Sequence, residues 1–169
     1  MNIFYLHSDY KQAAAYHCDK HVIGMIKETC QMLSTAHRVL DGPDYADRHS
    51  LCAIAHINHP STKWVREATS HYRWAFNLFM ALMKQQTKRY GTTHIYGELA
   101  DALSIRPRNI KNKRFTPPPQ CMPDEYKNED TVLAYRTFYV KDKNRIARWD
   151  KLNNEPLWYS IGVETGEIM

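Results

Sequence analysis

The chain reads as all-α, because apolar residues recur at helical spacing in three long stretches. In the first, from about Tyr10 to Leu40, Ala15, Cys18, Val22, Met25, Ile26 and Leu33 share one face. In the second, from Pro60 to Gly91, Trp64, Ala68, His71, Ala75, Leu78, Phe79 and Leu82 fall in register. In the third, which starts at Asn128 or Asp130, Val132, Tyr135, Tyr139, Ile146 and Trp149 line one side. With 169 residues the chain suits one domain, residues 1–169, with a hydrophobic core of its own. The expected architecture is a compact single-domain helical bundle carrying a long basic, Pro-rich loop.

Each element has a local cause. Residues 2–6 read as a short extended segment, and Asp9 as the N-cap of the first helix, which Asp41-Gly42-Pro43 stops. Asp44 to Ile57 carries a shorter helical pattern through Ala46, Leu51, Ile54 and Ala55. Pro60 suits the first position of the next helix, since the N–H it lacks has no intrahelical partner there, and His59 before it is biased out of the helical region. Gly91 supplies a left-handed cap, and Thr93 to Leu103 predicts a further short helix. From Arg106 to Cys121, Arg106, Arg108, Lys111, Lys113 and Arg114 precede Pro117-Pro118-Pro119, which excludes regular structure. The chain closes on Glu155 to Gly162, with Trp158 and Tyr159.

Composition narrows the function. The 23 Lys and Arg against 18 Asp and Glu give a net charge of +5, which favours an anionic partner, DNA or a nucleotide. Eleven Tyr, four Trp and five Phe include more aromatics than a small core needs, and aromatics beside Arg are what base stacking uses. Cys18, Cys30, Cys52 and Cys121 form no C-x-x-C pair and read as reduced thiols of a cytoplasmic protein. The N-terminal residues do not form a signal peptide, and no stretch approaches the roughly 20 apolar residues of a membrane span, so no membrane partner is expected. Nothing in the pattern sets an oligomeric state.

The chemistry centres on Tyr16-His17-Cys18-Asp19-Lys20-His21, followed by Gly24 and Glu28. On a helix His17, His21, Gly24 and Glu28 form one stripe at the border of the apolar face, and Gly24 leaves a gap in it. His17, His21 and Glu28 are therefore candidate catalytic residues sharing one concavity, with Lys20 or Arg38 at its edge. Two imidazoles four residues apart can also converge on a divalent metal, which makes a metal-assisted phosphoesterase on His17, His21 and Glu28 the alternative. At the start of the second helix, free N–H groups together with the hydroxyls of Ser61 and Thr62 favour an anion. Arg66 and Arg73, in register with Asn77 and Lys84, make a basic stripe, and Lys111, Lys113 and Arg114 are expected to contact phosphates without reading sequence. There is no Walker loop, Rossmann glycine fingerprint or G-x-S-x-G elbow, and no cofactor is expected.

Asn2-Ile3-Phe4, Ala15-Tyr16-His17, Phe79 through Gly91, and Lys143 to Arg148 leading to Pro156-Leu157-Trp158-Tyr159 resemble the phage-type pyrimidine-dimer DNA glycosylases. The opening Asn-Ile-Phe-Tyr-Leu and the His-Cys-Asp-Lys-His run also look like those of uncharacterised phage proteins, which implies the cytoplasm of an infected host cell. The glycosylase resemblance implies a compact all-α fold and attack on the sugar by a free N-terminal amine, aided by a glutamate of the first helix. In those enzymes the amine lies on a small residue exposed by Met removal. Here Asn2 is too large for efficient removal, which leaves the amine on Met1. The glutamate's place falls near Gly24, with Glu28 one turn later on the same stripe. The expected activity is base excision, in which a damaged base is extruded, Trp158 or Tyr159 stacks at the opening, and Glu28 stabilises the sugar cation or acts as base. A third possibility is a binding protein that sequesters a nucleotide or a host partner.

Overall fold

The first two of the three long helical patterns are each broken once, where side chains or distant backbone groups take the backbone groups that would continue the helix. The computed structural model describes residues 1–169, with eight α-helices, two short 3-10 turns and no strand. The all-α class is as the periodicity predicts.

The first break falls at His17 and Cys18, both extended, between α1 (Tyr10–Tyr16) and α2 (Asp19–Asp41). Asp9 caps α1 as expected, accepting the N–H groups of Lys11 and Gln12. The Arg89 guanidinium then donates to the carbonyls of Ala15 and His17 at 2.8 Å each, and the Trp149 indole donates to that of Tyr16 at 3.2 Å. A continuous helix needs those three carbonyls for the N–H groups four residues on. Asp19 instead donates its N–H to the Arg148 carbonyl at 2.8 Å.

The second break is at Ala68, buried and extended, between α4 (Pro60–Glu67) and α5 (Thr69–Tyr90). His71 Nδ1 donates to the Trp64 carbonyl at 3.0 Å, displacing the bond that Ala68 would make, and Thr69 donates to Lys111 at 2.9 Å. Pro60 does open α4, and Gly91 (φ +67°) does close α5.

Three shorter expectations are corrected as well. The helical pattern over 44–57 yields only α3 (Pro43–Arg48), because Arg38 and Thr35 of α2 claim the backbone of Leu51, Cys52 and Ala55. Thr93 to Leu103 becomes a 3-10 turn over Ile95–Leu99 and then α6 (Ala100–Ser104). The last long pattern, expected to run through Ile146 and Trp149, is helical only over α7 (Thr131–Lys141), capped by Asp130; Ala147 and Trp149 are buried in irregular chain, and the closing segment forms a separate α8 (Leu157–Thr165).

The core lies where α5 packs against α1, α2 and α4, with α2 also against α4, and side chains of α7 and α8 join the same cluster. Residues 2–6 thread through this core and are all buried. Burying Ile3, Phe4 and Leu6 is worth about 1.5–3 kcal/mol each, so the N-terminal segment is firmly held. The 106–121 segment is irregular but anchored: Ser70 Oγ donates to the Lys113 carbonyl (2.9 Å), Trp64 Nε1 to that of Thr116 (3.0 Å), and Thr116 N–H to His71 Nε2 (3.1 Å).

Candidate active site and basic groove

The break before α2 takes His17 off the helix that carries His21 and Glu28, and the N-terminal segment covers all three, Phe4 meeting both imidazoles and Met1 and Asn2 meeting Glu28. The ring of His21 stacks on Phe4, with centroids 4.3 Å apart, while the ring of His17 meets the edge of Phe4. One turn beyond Gly24, the Glu28 carboxylate accepts the Asn2 N–H at 2.9 Å and lies 3.7 Å from the Met1 amine. The three residues therefore do not line one open concavity.

His17 is fully buried, with Nδ1 donating to the Ala13 carbonyl at 2.7 Å. Burial holds its imidazole down at about pH 4, and the nearby Arg89 charge adds to the effect. His21 is held lower still, at about 3, by burial and then by His17, and its Nδ1 lies 2.6 Å from the Tyr139 hydroxyl. Both imidazoles are therefore held neutral near pH 7, so neither presents a positive charge to a phosphate there. No three His, Cys, Asp or Glu side chains are arranged to hold a metal ion, so the alternative built on His17, His21 and Glu28 has no ligand set. Gly24 is exposed and its missing side chain leaves open solvent, with no group reaching into the gap.

What remains around Glu28 is compact. The Met1 side chain is 1% exposed while the residue as a whole is half-buried, so the accessible part of Met1 is its backbone, which carries the amine. Its sulfur accepts the Thr62 hydroxyl at 3.1 Å. Asn2 fixes the segment from the other side: Nδ2 donates to the Cys121 carbonyl at 3.0 Å, and Oδ1 accepts from the Ile3 N–H and from the Tyr135 hydroxyl. His59, the N-cap of α4, completes the group. Its Nδ1 accepts the Ser61 N–H at 3.2 Å, and its pKa is lowered by burial and by the positive Met1 amine, with Glu28 acting in the opposite sense. His59 also lines a depression of about 510 Å³ with Ile54, His56, Ile57 and Asn58. Helical spacing points to Glu28, but not to His59, Asn2 or Tyr135; the only local hint is that His59 precedes Pro60 at a helix start.

Several expected binding residues have other work. Ser61 and Thr62 are buried, the first against Cys121 Sγ and the second against Met1, so their hydroxyls do not face an anion. Arg38 lies at no cleft edge near Glu28; it is spent on Asp47 and on the carbonyls of Leu51 and Cys52. Trp158 and Tyr159 are 5% exposed each, and both are core aromatics, with the Arg136 guanidinium 5.1 Å above the Trp158 ring. Lys20 is exposed on the first turn of α2.

The remaining basic residues do come together. A concavity of about 310 Å³ between α4 and the irregular segment is lined by Lys63, Arg66, Lys111, Lys113 and Asn109, with Glu67 pairing with Lys113 at 2.9 Å. Arg66 is held there by one donated bond to the Ile57 carbonyl, and its other terminal nitrogen is buried and without a partner. Through Asn109 this concavity adjoins a second one of about 280 Å³, which holds Arg48, Arg106 and Arg108 together with Asp41 and Asp44. Arg106 in turn borders a third, of about 240 Å³, containing Arg73 and Phe76. The three are neighbours along residues 104–113, linked by Asn109 and Arg106, and because Lys and Arg outnumber Asp41, Asp44 and Glu67 in their linings they are treated together as a basic groove. Arg114 is exposed but does not line it. The largest cavity, about 940 Å³, lies elsewhere, between α5 and the His94–Glu98 turn, and neither Met1 nor Glu28 borders it. No helix is long and apolar enough to cross a membrane.

Comparison with protein-family models found no match, and comparisons with curated proteins and with solved structures found none either.

Proposed function

We propose that the protein binds DNA and acts on damaged or base-free nucleotides through the Met1 amine. The observation that carries this reading is the pairing of that amine with Glu28 at 3.7 Å, in a segment whose other groups are tied down while the amine stays accessible. An ammonium has no free electron pair, and the adjacent carboxylate can take its proton. The neutral amine then attacks C1′ of the sugar. On a ring-opened abasic site the C1′ carbonyl oxygen leaves as water and an imine forms; on an intact nucleotide the base leaves instead. Glu28, now protonated, can return its proton to the departing group or to the ring oxygen. Burial, and then the charge of the Met1 amine, hold His59 below the ordinary imidazole range, so it stands near the amine as a neutral imidazole at neutral pH.

The groove supports the DNA part of this reading. Lys63 and Arg66 lie on α4, the helix whose N-cap is His59, so a strand following the cations of the groove is led toward the amine. These contacts address phosphates and carry no sequence information, which suits an enzyme that finds a lesion in any context.

The reading is tested by strand cleavage at an abasic site. An imine at C1′ acidifies the C2′ proton, and β-elimination breaks the chain on the 3′ side. Glu28→Gln should lower this cleavage by about 10²–10⁴-fold, the usual contribution of a positioned acid–base group. A Glu28→Gln variant that cleaves like the wild type removes Glu28 from the mechanism. Absence of cleavage by the wild type leaves the groove as the surface of a binding protein.

A further inference from the structure

Two of the four cysteines face each other. Cys30, buried on α2, and Cys52, half-buried in the segment after α3, have their sulfurs 3.7 Å apart. The contact is held from both ends. Arg38 donates to the carbonyls of Leu51 and Cys52 at 2.8 Å each, and Thr35 Oγ1 accepts the Ala55 N–H at 3.1 Å, so the backbone on either side of Cys52 is fastened to the helix that carries Cys30. Ser50, in the left-handed region at φ +52°, turns the chain back so that Leu51 can bond to Ala46. The Ser34 hydroxyl, one turn beyond Cys30, lies beside both sulfurs.

We propose that Cys30 and Cys52 form a peroxide-reactive dithiol site, in which Cys52 attacks a hydroperoxide and Cys30 resolves the product to an intramolecular disulfide. The asymmetry of the pair assigns the roles. Cys52 is the less buried residue, so it is the one a peroxide reaches; the contact with Cys30 and the Arg38 charge favour its thiolate, while the same contact and burial favour the protonated form of Cys30, which then donates to Cys52. The Cys52 thiolate attacks one peroxide oxygen, the O–O bond breaks, and a sulfenic acid and hydroxide form (with an alkyl hydroperoxide, an alkoxide). The Cys30 sulfur then attacks the sulfenic sulfur. An S–S bond forms, the S–O bond breaks, and the oxygen leaves as water with the Cys30 proton. Two thiols are oxidised by two electrons and the peroxide is reduced. The sulfurs are already in van der Waals contact, so the resolving thiol stands beside the sulfur it attacks.

This inference does not rest on the amine chemistry, and either can fail alone. The full chain is treated with hydrogen peroxide, its remaining thiols are alkylated, and its peptides are mapped by mass spectrometry. The expected product is a Cys30–Cys52 linked peptide, two hydrogens lighter than the reduced pair, formed roughly tenfold faster than any oxidation at Cys121, whose sulfur has only the Ser61 hydroxyl beside it. Cys30→Ala should stop the reaction at a Cys52 sulfenic acid that dimedone captures. The wild-type map decides even if that variant misfolds. Cys52 staying reduced, passing to sulfinic acid without a link, or pairing with Cys18, Cys121 or a second chain would each overturn the proposal.

Discussion

Arg89 and Asp19 form an ion pair at 3.0 Å in which the arginine side chain is fully buried and the aspartate 12% exposed. The same guanidinium holds the carbonyls of Ala15 and His17, so one residue of α5 both ends α1 and starts α2. That corner sets the direction of α2, and with it the position of Glu28 under the N-terminal segment.

Replacing Arg89 with Met should therefore do more than remove a charge. It leaves two carbonyls without partners and Asp19 without its counter-ion, with only the Lys151 N–H still donating to its carboxylate, a loss of about 3–5 kcal/mol by analogy with broken buried pairs. Urea denaturation followed by far-UV circular dichroism checks this. A change below about 1 kcal/mol would show that the corner is held by other groups.

Stability should fall on mild acidification. His17 and His21 are held at about 4 and about 3 in the fold, against an ordinary value of 6.5, so between pH 6.5 and pH 4 the unfolded chain binds protons that the folded chain does not. By linkage the stabilisation is fully present above pH 6.5 and is lost as pH falls toward 4. For His17 alone this amounts to about 3 kcal/mol. Burial lowers His37 and His71 too, which acts in the same sense. Urea midpoints at pH 7.5, 5.5 and 4.5 give the slope; a flat profile would mean that these imidazoles reach solvent.

The groove predicts which cations matter for DNA. Substituting Lys63, Lys111 and Lys113 together with Ala should weaken binding to any duplex and reduce the slope of log K against log salt by about 2–3. Arg114→Ala, outside the groove, should have a smaller effect. A fluorescence-anisotropy titration over a range of salt concentrations distinguishes the two, and equal effects would argue that the groove is not the path of the backbone.

The starts and stops of this fold are legible in the sequence because they are local. Asp9, Pro60, Gly91 and Asp130 act on residues within one turn of themselves, and each does what its chemistry predicts. The breaks at His17–Cys18 and at Ala68 are not legible, since Arg89, Trp149 and Lys111 come from remote parts of the chain and helical spacing does not show that the nearby His71 side chain turns back onto the Trp64 carbonyl. The same division runs through the candidate site. Helical spacing singles out Glu28, and the clustering of Lys111 and Lys113 marks part of the groove. Spacing cannot show that Phe4 lies over His21, that Arg38 is occupied by Asp47, or that Trp158 and Tyr159 pack inward, because an amphipathic pattern does not reveal what covers it.

The most direct measurement is reductive trapping of the proposed imine. The protein is incubated with a duplex containing one abasic site in the presence of borohydride, and the cross-linked species is isolated and mapped by mass spectrometry. The Met1–Glu28 arrangement predicts one covalent adduct on the Met1 amine, abolished when that amine is acetylated and reduced in rate by Glu28→Gln. No adduct, or an adduct carried by a lysine of the groove with the Met1 amine untouched, would contradict it.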